Sequence, residues 1–202
     1  MTKSVPPTKP SPTRDARSKG RQTNAPSSRR GLWIGLGVVA LIAVLALLWT
    51  RTRSDTLTGV TMFPNLERGH QSGPMTYAQT PPVGGVHNPV WQNCGIYDEP
   101  LANENAVHSL EHGAVWVTYR PDLAATEVAQ LRGLVRGRPY TLLSPYPGLP
   151  APVVASAWGV QLSVEQATDA RLQQFLQTYV QGPQTPEPGA PCIGGTGTPS
   201  SQ

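Results

Sequence analysis

Cysteine is scarce in this chain, with two in 202 residues. That excludes a disulfide-dense miniature scaffold and a four-cysteine zinc site. Charge is scarce as well: Asp, Glu, Lys and Arg together make up 14% of the residues, against about 25% in an average soluble domain. Residues 55–202 contain no lysine. There is no glycine-rich phosphate loop, no G-x-S-x-G elbow and no C-x-x-C pair. The sequence therefore offers no recognisable nucleotide cradle, serine-hydrolase nucleophile or dithiol redox motif. Wholesale disorder is excluded too, because 38% hydrophobic residues and 20 Gly give an ordinary apolar share. Gly and the 22 Pro predict abundant loops.

The net charge of +4 would fit a nucleic-acid binder only if it lay on the folded part. It does not. Residues 1–30 hold eight of the 16 basic residues, opposed by Asp15 alone. Residues 55–202 hold six Arg against eleven Asp or Glu, a net −5. The globular part is acidic, and nucleic acid is excluded as its partner. The tail, rich in Pro, Ser, Thr and charge, has almost nothing to bury and reads as disordered.

Leu32 to Trp49 is an uncharged apolar run, LWIGLGVVALIAVLALLW. Its length as a helix is ~27 Å, enough for a bilayer core. Trp33 and Trp49 stand near its ends, where indoles favour the interface. The basic tail ahead of it places the N-terminus in the cytoplasm and the rest outside. A cleaved signal peptide is the rival reading, and Ser28-Arg29-Arg30-Gly31-Leu32 resembles a twin-arginine export signal. Each of these puts the domain outside the cytoplasm. The expected organisation is a basic cytoplasmic tail (1–30), a transmembrane helix (31–50), a spacer (51–56), an extracytoplasmic domain (57–182) and a Pro/Gly-rich tail (183–202). In such a compartment Cys94 and Cys192 are expected to form a disulfide that tethers the tail. By the chain-entropy argument it is worth up to ~4–5 kcal/mol. The alternative is that Cys94 is a metal ligand near the histidines.

Along the domain, 57–63 reads as a strand and 64–105 as a long irregular loop punctuated by Pro and Gly pairs. GAVWVTY (113–119) reads as a buried strand. A helix capped by Asp122 follows, with an apolar stripe to Gly137. Pro139–Leu143 and 153–158 read as strands, and Ser163 as the cap of a last helix ending at Gly182-Pro183. The expected fold is α+β, a small mixed or antiparallel sheet with two covering helices.

All four histidines, His70, His87, His108 and His112, fall within residues 70–112. His108 and His112 are four apart in HSLEHG; on a helix both imidazoles project from one face, as two ligands sharing a metal do. Imidazole suits Zn, Cu, Ni or Fe. His108-x-x-Glu111-His112 also fits the H-x-x-E-H pattern of inverted zinc peptidases, with Glu111 as base. Against that, a strand follows Gly113 at once, which leaves little helix. Glu111 reads equally as a buried carboxylate paired with Arg120 or an imidazolium. Tyr77, Trp91, Tyr97, Trp116 and Trp158 read as core and loop packing, and Arg132, Arg136 and Arg138 as a solvated helix end.

The segments PPVGGVH (81–87), NCGIYDEP (93–100), VHSLEHGAVWVTYRPDL (107–123), VVASAWG (153–159) and PEP (186–188) together resemble the DUF3105 family, domains of unknown function that typically follow a basic tail and one membrane span. The resemblance covers nearly all of 60–192. The family pattern falls on His87, Gly95, Tyr97, His108, Glu111, His112, Gly113 and Tyr119, with His70 where the family often carries a histidine. The turn before His87 reads Pro-Pro-Val-Gly-Gly, where Ser-Gly is commoner. The resemblance implies no activity. It implies that the His/Glu set is a family feature.

These readings lead to a membrane-anchored extracytoplasmic domain that binds a divalent transition metal, Zn or Cu, through His108, His112 and one or both of His87 and His70. Glu111 is then general base or orienting group. The alternatives are a non-catalytic cell-envelope interaction module, in which the same residues stiffen a docking loop, and a metal-dependent hydrolase.

Overall fold

The computed structural model describes residues 39–44 and 57–201. The chain divides into two units, Met1–Ser54 and Asp55–Gln202. Residues 39–44 are helical, and Val39, Leu41, Ile42 and Val44 are exposed. No helix among the described residues is long and apolar enough to cross a membrane. The basic tail, the spacer and the rest of the apolar run lie outside the described residues.

The domain is built on a six-stranded mixed sheet. Its strands are β1 (Val60–Met62), β2 (Gly95–Ile96), β3 (Val115–Tyr119), β4 (Thr141–Pro145), β5 (Val153–Ala157) and β6 (Val160–Val164). Their spatial order is β1-β6-β5-β3-β4-β2. β2 and β3 both run parallel to β4, while β5, β6 and β1 continue antiparallel. Helices α1 (Asn103–Glu111) and α2 (Ala125–Val135) make the connections β2-α1-β3 and β3-α2-β4, and α3 (Ala170–Tyr179) follows β6.

All five residues of β3, β4 and β5 are buried, because both faces of the sheet are covered. On one face Val115, Val117 and Leu143 pack with Leu131 and Val135 of α2 and with Leu172, Phe175 and Leu176 of α3. On the other, Trp116 and Leu142 pack with Ala106, Val107 and Leu110 of α1 and with Trp158. This second face carries the histidines.

Two helix starts differ from the sequence reading. Residues 160–164 are a strand, with Val160, Leu162 and Val164 buried and Gln161 and Ser163 facing away, so Ser163 caps nothing. The chain enters α3 at Ala170, where the Asp169 carboxylate accepts a bond from the Arg171 amide at 2.9 Å. α2 begins after Ala124 without a side-chain cap, and the Asp122 side chain is 81% exposed. The long loop is also less irregular than its composition implied, since β2 and the start of α1 lie within it.

Candidate metal centre

α1 presents two faces. Val107 and Leu110 point to the sheet, and His108 and Glu111, three apart, share the other side. Gly113 ends the helix at φ +93°, a conformation that suits glycine, and a Cβ there would meet the Gln181 amide. The long loop is stitched to this outer face. The amides of Asn88 and Gln92 donate to the carbonyls of Glu104 and Asn105, and the Ser109 hydroxyl donates to Gln92 O at 2.7 Å. Two stretches of that loop run side by side. Gln71 N donates to His87 O and His87 N to Gly69 O, which sets His70 beside His87.

The result is a cluster of His70, His87, His108 and Glu111 whose potential ligand atoms all lie within 4.8 Å of one another. His87 Nε2 is 2.9 Å from Glu111 Oε2, and His70 Nε2 is 3.7 Å from the same oxygen. Ligands at 2.0–2.1 Å around a tetrahedral ion stand about 3.3 Å apart, between these two values. The His70 side chain is 47% exposed; those of His87 and Glu111 are buried, as is His108.

The buried histidines are oriented in one way. His87 Nδ1 lies 2.7 Å from Gly85 O, and His108 Nδ1 lies 2.7 Å from Asn88 O. A carbonyl can only accept, so each Nδ1 carries a proton and Nε2 is left free in the neutral ring. Metal-bound histidines are commonly held by this outer hydrogen bond. Burial pushes the His108 pKa down to about 4; the bond to Asn88 opposes the shift, and the charges of His112, His87 and His70 add to it. His108 is neutral at physiological pH and keeps its Nε2 lone pair.

His87 Nε2 and Glu111 Oε2 are both buried without a hydrogen-bond partner. They stand 2.9 Å apart, yet no hydrogen bond joins them. Two buried lone pairs at that distance repel, and each unsatisfied group costs about 1–3 kcal/mol. A cation between them removes both penalties, so the residues present fit a metal ion.

His112 stands beside this group rather than in it. Its ring is 4.5 Å from that of His108, its Nδ1 lies 2.7 Å from Pro191 O, and its Nε2 lies 3.7 Å from Glu187 Oε2. Trp91 packs against His108 and His112, with ring centroids 5.8 and 5.2 Å away. The inverted-peptidase arrangement would need His108 and His112 together with Glu111 standing off as base, whereas here Glu111 lies among the candidate ligand atoms. Tyr77 serves the loop: its hydroxyl donates to Val86 O, and burial, then the Glu104 charge, raises its pKa to about 12. Of the other family-pattern positions, Gly95 lies in β2, Tyr119 ends β3, and the Tyr97 hydroxyl donates to Asn93 O. Cys94 and Cys192 form a disulfide with Cα atoms 5.4 Å apart, so Cys94 is not a ligand. The sequence reading passed over Trp91 as packing and missed the carbonyls of Gly85, Asn88 and Pro191. A main-chain acceptor has no side-chain signature by which it could be found.

The profile of the family described as "Protein of unknown function (DUF3105)" matches residues 70–194. That span holds the whole candidate centre and most of the chain, and the chain belongs to this family. No curated protein and no solved structure matches it.

Proposed function

We propose that the domain holds one divalent transition-metal ion through His70, His87, His108 and Glu111. The observation that carries this reading is the unpartnered pair His87 Nε2 and Glu111 Oε2, buried and 2.9 Å apart. Three nitrogens and one carboxylate oxygen, with no thiolate, suit Zn(II) first and Cu(II) second. Half-exposed His70 marks the side from which an ion enters. The N-terminal apolar run anchors the domain and the basic tail stays in the cytoplasm, so the site faces the extracytoplasmic space. The charge asymmetry of the sequence supports that orientation, as does a disulfide, which persists outside the cytoplasm. The test is elemental analysis and zinc titration of the full chain in detergent. One ion per chain, with binding abolished in His87→Ala and His108→Ala, is expected. Absence of binding by the wild-type chain overturns the reading and leaves a protonated His87–Glu111 ion pair, the rigid-loop arrangement of an interaction module.

A further inference from the structure

The C-terminal tail does more than hang from the disulfide. Before Cys192 it lies on the end of α1: Glu187 N donates to Glu111 O at 3.0 Å, and Pro191 O accepts from His112 Nδ1 at 2.7 Å. After Cys192 it braces Trp91. Thr196 N donates to Trp91 O at 2.9 Å, and Gly195 passes so close that a Cβ would stand 2.2 Å from that oxygen. Trp91 in turn packs on His108 and His112. The disulfide is the covalent point in a strap that is also hydrogen-bonded from Cys94 N to Cys192 O at 2.7 Å and from the Tyr140 hydroxyl to Ala190 O at 2.8 Å, and that holds Glu111 through its carbonyl and His108 through its neighbours. A cavity of ≈ 490 Å³ opens beside that bond, lined by Cys94, Cys192, Pro191 and Tyr140 among others.

We infer that the Cys94–Cys192 disulfide is a redox control on the metal centre: oxidised, the strap holds the ligand geometry, and reduced, it loosens and the ion is released. The inference rests on the proposed metal site. The reductant is a dithiol, as in thiol–disulfide oxidoreductases, and the cavity is its approach. One thiolate of the dithiol attacks a sulfur of the disulfide and displaces the other cysteine as thiolate. The second thiol of the reductant then resolves the mixed disulfide. The two protons of the dithiol end on Cys94 and Cys192, and the reductant leaves as its own disulfide.

Zinc affinity of the full chain in detergent is measured by competition with a chromogenic chelator, for oxidised wild type, Cys94→Ala/Cys192→Ala, His112→Phe and the triple variant. The alanine pair replaces chemical reduction because free thiols bind zinc themselves. The expected loss in the alanine pair is about tenfold or more, the scale seen when groups that orient ligands are removed. His112→Phe keeps an aromatic ring but removes the side-chain bond from α1 to Pro191 O, one of the strap's bonds to that helix, so it weakens binding in the same direction, and the triple variant is little weaker than the alanine pair. Equal affinity in wild type and the alanine pair overturns the control and leaves the metal site standing. So does loss of native circular dichroism in the alanine pair, which makes the disulfide a staple of the fold. No zinc on oxidised wild type overturns the site itself, and the control with it.

Discussion

Glu111→Gln separates a metal ligand from an ion-pair partner by the sign of its effect. In wild type without metal, the buried Glu111 Oε2 and His87 Nε2 are both unpartnered. Glutamine keeps the shape and replaces one oxygen by an NH₂ that can donate to the His87 lone pair. Satisfying that pair and removing a buried charge should stabilise the chelated protein by about 1–3 kcal/mol. For a domain of this size, 1 kcal/mol moves Tm by roughly 4 °C. With zinc at a thousandfold excess over Kd, wild type should gain about 4 kcal/mol and the variant almost nothing. The two melting curves therefore cross: the variant melts higher in chelator and lower in zinc. Differential scanning calorimetry of the full chain in detergent, with chelator and then with zinc, reads both limbs. If Glu111 instead neutralises a protonated His87, the substitution strands a buried charge and costs about 3–5 kcal/mol in chelator. A variant that melts lower than wild type in chelator refutes the reasoning.

Acidification should destabilise the chelated protein. The folded His108 pKa of about 4 lies below the ordinary 6.5, so the unfolded chain takes up the proton first. This contribution, at most roughly 3 kcal/mol, is fully present above pH about 6.5 and is lost as the pH falls to about 4. Urea midpoints measured across that window should fall, and a rising midpoint would contradict the buried neutral ring. Leu110→Ala empties a fully buried position between α1 and Trp116 and should cost about 2–5 kcal/mol in chemical denaturation. A cost below about 1 kcal/mol would mean that α1 is not seated on the sheet. For orientation, an impermeant protease applied to spheroplasts should shave the domain and spare the basic tail. A protected domain refutes the extracytoplasmic placement.

Much of the fold was legible in the sequence because its signals are local. GAVWVTY carries the β-branched and aromatic pattern of a strand covered on both faces, and β3 is that strand. Gly113 follows α1 at positive φ, where a glycine ends a helix readily. The strand at 160–164 was legible too and was misread. Val160, Leu162 and Val164 alternate with Gln161 and Ser163, a period of two, but Val164 also fits the helical stripe that follows. Short runs sit in both patterns, and only pairing with β5 and β1 decides between them. The missing caps of α1 and α2 show the same dependence, since packing carries helices that no side chain initiates.

The site was half legible for a related reason. Histidine clustering in the sequence marked the right segment, and nothing in composition competes with four histidines confined to residues 70–112. Which residue joins His108 was another matter. Positions three and four apart on a helix are both neighbours of the first, so Glu111 and His112 were equally placed by spacing. The choice is made from outside the helix. The His70–His87 ladder approaches over Glu111, and the strap takes His112 through Pro191 and Glu187. Both partners are non-local in sequence and dock through main-chain groups that any residue could supply. A motif such as HSLEHG therefore marks the outer side of α1 as a place for candidate ligands. The loop before it and the tail after it determine which of them converge, and here that is Glu111 with three of the four histidines.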